Sequence, residues 1–166
     1  MAIDPELLRQ AMRQWTTGVT IVSARLDSIR HGMTVNSFTS VSLTPPLVLV
    51  SLERGARTHG LIKQSGYFGV TILGREQREI SDRFAGRQTE YTDRFANLGT
   101  YTLVSGAPLL DGGLAGLDCR VVSTYEAGTH TVFIGDVLAA QVGNNSHPLV
   151  YYDRDYRGLK LRWKKN

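Results

Sequence analysis

The chain has a single cysteine, Cys119, so it can build neither an intramolecular disulfide framework nor a thiolate zinc site. That favours a reducing compartment, and the expected location is the cytoplasm. The N-terminal run Met1-Ala2-Ile3-Asp4-Pro5-Glu6 lacks the basic and apolar regions of a signal peptide. No apolar run approaches the roughly 18 residues that span a bilayer, so no membrane role is expected. No Gly-x-Gly-x-x-Gly joins a strand to a helix and no P-loop is present, which removes the usual grounds for a Rossmann or Walker nucleotide site. A Gly-x-Ser-x-Gly elbow, the mark of one large hydrolase class, is also missing. His31, His59, His130 and His147 show no i, i+4 pairing and no carboxylate at ligand spacing, so no metal site is expected. The formal net charge is only +4, and part of that excess lies in the tail Lys160-Leu161-Arg162-Trp163-Lys164-Lys165, which reads as a solvated basic tail. Nucleic-acid binding would want basic residues interleaved with exposed aromatics, whereas the aromatics here sit mostly inside apolar strand patterns, so no nucleic-acid partner is expected.

What is present reads as one domain over residues 1–166, long enough to bury about two thirds of its unfolded surface. The densest information lies in the stretch from Gly32 through Met33-Thr34-Val35-Asn36-Ser37-Phe38-Thr39-Ser40-Val41-Ser42-Leu43 to Pro45-Pro46 and Leu52. Small hydroxyl and amide residues interrupt apolar strand sequence there, while Val35, Phe38, Val41 and Leu43 keep the segment in a core. A buried hydroxyl or amide without a partner costs about 1 to 3 kcal/mol, so these groups are either satisfied by backbone, as in an ordinary Ser/Thr-rich edge strand, or aimed at a flat polar ligand.

Along the chain, residues 5–14 form an expected amphipathic helix capped by Asp4 with Pro5 in its first turn. Residues 18–25, 34–42, 47–53 and 67–73 are rich in Val, Ile, Thr and Phe and read as strands. Residues 58–64 suit a short helix, and residues 75–84 a firmer one, with Ile80 and Phe84 on one face. Residues 86–108 have no period and read as an excursion with at most one helical turn. Residues 114–125 and 129–142 form a strand pair around Glu126-Ala127-Gly128, followed by short strands at 149–152 and 158–161. Many short strands with few helices imply a mainly β, antiparallel barrel with α additions.

The segment from Gly32 to Leu52, preceded by Thr17-Gly18-Val19-Thr20-Ile21-Val22 and followed by Phe68-Gly69-Val70-Thr71-Ile72-Leu73, resembles the flavin reductase-like family. Further pieces follow in the same order: Ser81-Asp82-Arg83-Phe84-Ala85, Gly106-Ala107-Pro108-Leu109-Leu110, Leu117-Asp118-Cys119 and Gly128-Thr129-His130-Thr131-Val132-Phe133-Ile134-Gly135-Asp136-Val137. The short-chain members of that family are NAD(P)H:flavin oxidoreductase components of two-component monooxygenases. The resemblance implies a split β-barrel of Greek-key type (the FMN-binding split barrel), a homodimer, FMN or FAD as cofactor, NADH or NADPH as co-substrate, and a partner oxygenase that receives reduced flavin.

Carried over residue by residue, it implies that Asn36, Ser37, Ser40, Val41, Ser42 and Ser51 line the isoalloxazine site, with edge-strand N–H groups facing the ring's N5 and O4. Arg57 and Thr58, where a strand opens into a helix, meet phosphate, although Arg57 on its own residue type is equally a solvated cation. Arg83, Phe84 and Ala85 approach the flavin, Phe84 being as well suited to the core, and Tyr152 lies near the ring or the interface. His130 matches the histidine of the family's Gly-Asp-His segment near the nicotinamide, but Thr129 stands where Asp is common, which removes charge-assisted orientation of the imidazole. The implied chemistry is direct hydride transfer from nicotinamide C4 to flavin N5 at a separation of roughly 3 to 3.5 Å, which needs no catalytic acid or base pair. A flavin-binding redox carrier or sensor without dinucleotide turnover is the alternative, and Thr129 leans toward it.

Overall fold

The computed structural model describes residues 3–88, 90–144 and 147–159. Helix α1 (Pro5–Arg13) begins where its cap requires: the Asp4 carboxylate accepts the Glu6 N–H at 2.9 Å, and Pro5 occupies the first turn. No residue of α1 is buried, and Leu7, Leu8 and Met12 stand on the surface with Trp15 just beyond them.

After it come β1 (Thr17–Gly18), β2 (Thr20–Leu26), β3 (Ile29–Val35), β4 (Phe38–Leu43), β5 (Pro46–Glu53), α2 (Arg57–Ser65) and β6 (Tyr67–Ile72). A 3-10 turn at Arg75–Gln77 runs into α3 (Arg78–Phe84), and the remaining strands are β7 (Thr100–Tyr101), β8 (Leu109–Leu110), β9 (Ala115–Ala127), β10 (His130–Val142), β11 (Leu149–Tyr152) and β12 (Asp155–Gly158). Seven strands form one antiparallel sheet in the order β3-β2-β6-β9-β10-β5-β4, with β1-β11-β12 and β7-β8 as small satellites. The fold is mainly β, as the sequence implied. The sheet is open, as a split barrel requires: its two edges, β3 and β4, are consecutive in the chain, and no ladder joins them among the described residues.

Several expected boundaries are corrected. The single strand at 34–42 is two, because the chain turns at Asn36-Ser37, where the Ser37 hydroxyl donates to the Ser51 carbonyl at 2.6 Å. Before that turn β3 begins as early as Ile29, hidden in sequence by the polar run Arg30-His31. The last strand starts three residues earlier than read, at Asp155, and residues 160–161 of that expectation, like the basic tail, lie outside the described residues. Residues 86–108 hold turns and β7, and no helix among those described.

Two apolar clusters hold this together. In β5 the alternation buries Val48, Val50 and Leu52, which join Val22, Ile62, Phe68, Val70 and Phe133 between the sheet and α2. Cys119 is buried in the same cluster, and burial, followed by Asp118 and Asp136, pushes its thiol up to about 12. The second cluster, Val19, Ile21, Leu73, Phe84, Phe95, Leu110 and Leu149, fastens α3 and the loop after it to the sheet. Each such side chain, fully buried, contributes about 1.5 to 3 kcal/mol.

The tightest approach in that second cluster is at Gly32. A Cβ there would lie 2.8 Å from Phe84 Cε1 and 3.0 Å from Phe95 Cζ, and neither ring can retreat, since both are at most 1% exposed and pack edge to face at 4.8 Å. Gly32→Ala is expected to destabilise the protein by about 1 to 3 kcal/mol through overpacking, read as a lower denaturation midpoint in urea.

Candidate functional site

Two clefts share Thr34 and Ala85 and together form a groove along β3. One end, a cleft of about 370 Å³, is walled by His31, Arg57, Thr58 and Arg94. The other is walled by Val19, Asn36, Arg87, Tyr151 and Tyr156. Asn36, exposed at the β3–β4 turn, also borders two further clefts, toward Trp15 and Phe38 and toward Arg13 and Arg154.

The first end is cationic by construction. Helix α2 starts at Arg57 with Ala56 as its cap residue, so no side chain satisfies its first N–H groups, and its dipole adds partial positive charge. Among the described residues neither Arg57 nor Arg94 forms an ion pair. The half-buried Arg94 donates instead to the carbonyls of Phe84 at 2.8 Å and Gly32 at 3.0 Å. Thr58 is fully buried, and its hydroxyl lies 2.8 Å from His31 Nδ1. Burial first, then Arg94 and Arg57, hold the His31 imidazole down to about 4, with Asp93 opposing, so it is neutral at pH 7. An arginine pair, a helix start and a neutral histidine facing one cleft make an environment that an anion would balance.

From Asn36, which borders the groove, the chain turns into β4, the other edge of the sheet. Among the described residues β4 pairs only with β5, and its second side offers N–H and C=O groups outside any ladder. The ladder slips between Ser40 and Ser42, leaving Val41 as an extra residue, half exposed at 48%. The Ser42 hydroxyl accepts the Thr44 N–H at 3.2 Å. Asn36 and Ser37 therefore lie on the turn and Ser40, Val41 and Ser42 on the edge strand, while Ser51 lies in the neighbouring interior strand β5, its carbonyl accepting the Ser37 hydroxyl.

The remaining expected residues are dispersed. Ala85 lines both halves of the groove, and Phe84 beside it, a member of the second apolar cluster with no exposed surface, backs the cationic cleft. Arg83 is buried, donating to the carbonyls of Ala96 at 2.6 Å and Asp93 at 3.3 Å with its guanidinium 3.6 Å from the Tyr91 ring centre. Its charge thus braces the 91–96 loop rather than facing the groove. Tyr152 donates to Gln14 Oε1 at 3.2 Å and ties the end of α1 to β11. His130 opens β10 opposite Glu53 of β5, two ladder positions beyond the Val132–Ser51 pair. It is exposed and lines neither half of the groove. Thr129, standing where a carboxylate was expected, lies 2.9 Å through its hydroxyl from His130 Nδ1, and its carbonyl accepts the Arg54 N–H at 3.0 Å. The imidazole is tethered by a neutral hydrogen bond instead of an ionic one.

His31, Thr34 and Arg94 escaped the sequence reading. His31 and Thr34 flank Gly32-Met33 at the head of the polar stretch, and that adjacency was the available signal. Arg94 sits in the aperiodic excursion, where nothing in the local pattern marks it.

The flavin reductase-like domain family matches residues 12–160 of the chain. An NADH-dependent flavin reductase of a Rhodococcus species is 41% identical over 167 residues, covering 96% of this chain and 91% of that protein. The reductase component of a 4-nitrophenol 4-monooxygenase/4-nitrocatechol 2-monooxygenase from Rhodococcus opacus is 38% identical, covering 90% of this chain and 78% of that one. Among solved structures, the NADH:FAD oxidoreductase SgcE6 of Streptomyces globisporus C-1027, in complex with NAD and FAD fragments, superposes with a TM-score of 0.89 at 32% identity, covering 99% of each chain. With the match spanning most of the chain, this protein belongs to the flavin reductase-like domain family.

Proposed function

We propose that the protein is an NAD(P)H-dependent flavin reductase that binds FMN or FAD in the groove along β3 and β4, reduces it with NADH or NADPH, and supplies the reduced flavin to a partner oxygenase in the cytoplasm. The observation that carries this reading is an unneutralised cationic cleft that shares Thr34 and Ala85 with a second cleft reaching Asn36, at the turn into the bulged strand β4, a form suited to a flat ring bearing a phosphate tail. The reductases and reductase components among its relatives support it.

A flavin held in this groove would supply the hydride-accepting chemistry toward a reduced nicotinamide. The chain's residues bind and orient. Asn36 and Ser37 hold the turn against Ser51, and Ser40 to Ser42 present backbone donors from the β4 edge toward the ring's electron-accepting side. Arg57 and the α2 N-terminus hold phosphate. His130, steadied by Thr129, orients the nicotinamide without moving a proton in the hydride step. The exposed apolar face of α1, with Leu7, Leu8, Met12 and Trp15, meets a second copy of the chain in a homodimer. Flavin binding with and without NADH under anaerobic conditions tests the activity. NADH should bleach the flavin band, and bound flavin that stays oxidised would select the redox-carrier alternative.

If Arg57 holds the phosphate, Arg57→Ala should weaken FMN or FAD by about one to two decades in dissociation constant and leave riboflavin nearly unchanged, since only the former carry the anion. Fluorescence titration of the three flavins checks it, and equal losses for all would remove Arg57 from the phosphate site. His130→Ala should keep flavin affinity, raise the Michaelis constant for NADH and slow reduction of bound flavin by about ten to a hundredfold, on the order of 1.4 to 2.7 kcal/mol. Stopped-flow reduction unchanged at every NADH concentration would make His130 a strand residue and nothing more. Sedimentation at micromolar concentration should give about twice the chain mass, and a monomer that turns over NADH would refute the dimer.

A further inference from the structure

Thr58, assigned to phosphate from its place where a strand opens into a helix, is fully buried with its hydroxyl already on His31, whereas His31 is only half buried and walls the cleft. The groups packed about His31 are countable. From α2 come Arg57 and Thr58; from the 91–96 loop come Asp93 and Arg94; its own strand supplies Arg30; and Phe84 and Ala85 at the end of α3 bring no charge. Asp93 is bound by Arg30 at 2.8 Å and accepts the Phe95 N–H, so it leaves Arg57 and Arg94 uncompensated. In such a field a third cation is unfavourable, and two phosphate negative charges reverse that balance.

We propose that His31, oriented by Thr58, is the residue that meets the flavin's phosphate or diphosphate, and that it takes up one proton as that anion binds. This rests on the reading of the cleft as the flavin-phosphate site. An imidazolium donates from both nitrogens, so protonated His31 keeps Thr58 Oγ1 as acceptor on Nδ1 while its second N–H serves the anion. The proton comes from solvent and returns there when the flavin leaves. Thr58 acts through His31 as a positioning residue, which gives a buried hydroxyl in a ligand cleft a use other than direct contact.

The linkage has a definite sign. His31 stands at about 4 without the anion, and binding raises that value, so between the two the affinity grows as pH falls, by up to about tenfold per pH unit. FAD is the suitable probe because its diphosphate keeps its charge across pH 5.5–8, whereas the phosphate of FMN titrates near about 6. Fluorescence titration of FAD and riboflavin over that range is expected to show FAD binding tightening toward low pH and riboflavin binding flat. His31→Asn should weaken FAD most at low pH and so flatten the FAD profile, Thr58→Val should shallow it, and Thr58→Ser should restore it. A FAD profile equally steep in wild type and His31→Asn, or flat in wild type, would overturn the proposal. The site reading is tested separately by Arg57→Ala at pH 8: if that variant loses FAD and riboflavin equally, the cleft is not the phosphate site and both inferences fall. If only FAD is lost, a failure of the His31 arm is its own.

Discussion

The contact on which the rest of the site depends is the approach of the Phe84–Phe95 pair to the backbone of Gly32. It seats the end of α3 and the following loop directly on β3. Because the rings lie against a residue without a side chain, Ala85 reaches the groove, and the Arg94 guanidinium can bridge the carbonyls of Gly32 and Phe84. The neighbouring strand residue, His31, is thereby placed between Arg94 and the start of α2. A side chain at position 32 would separate those elements, and the cleft's charge would disperse with them. Dispersion and apolar burial thus fix where an electrostatic site can exist.

The architecture turns on a comparable economy at the β3–β4 link. Two residues carry the chain from one edge of a seven-stranded sheet to the other, with a single serine hydroxyl holding the turn on Ser51. The sheet stays open there, and the open edge keeps backbone donors that a closed barrel would have consumed in its own ladder. The same turn brings Asn36 to the meeting of three clefts.

Much of this was legible in the sequence, for identifiable physical reasons. The alternation of Val48, Val50 and Leu52 announces a strand, the Asp4-Pro5 pair announces a helix start, and the hydroxyl and amide residues from Asn36 to Ser42 fall on a turn and an edge strand. What sequence pattern cannot carry is the destination of a long side chain. Arg83 and Arg94 are both arginines near the end of α3, yet one braces the loop under Tyr91 and the other faces the cleft. Thr58 and His31 are 27 positions apart, so their bond has no local signature. The break in the strand at Asn36 was likewise invisible, because both halves obey strand propensity and only the tertiary pairing of β4 with β5 separates them.

The burial of Cys119 acquires a meaning from the proposed chemistry. Free reduced flavin surrenders electrons to dioxygen and yields peroxide, so a protein making it works amid its own oxidant. The nucleophile that peroxide attacks is the thiolate, and Cys119, enclosed between Phe68 and Val137 and held protonated to about 12, offers almost none of it.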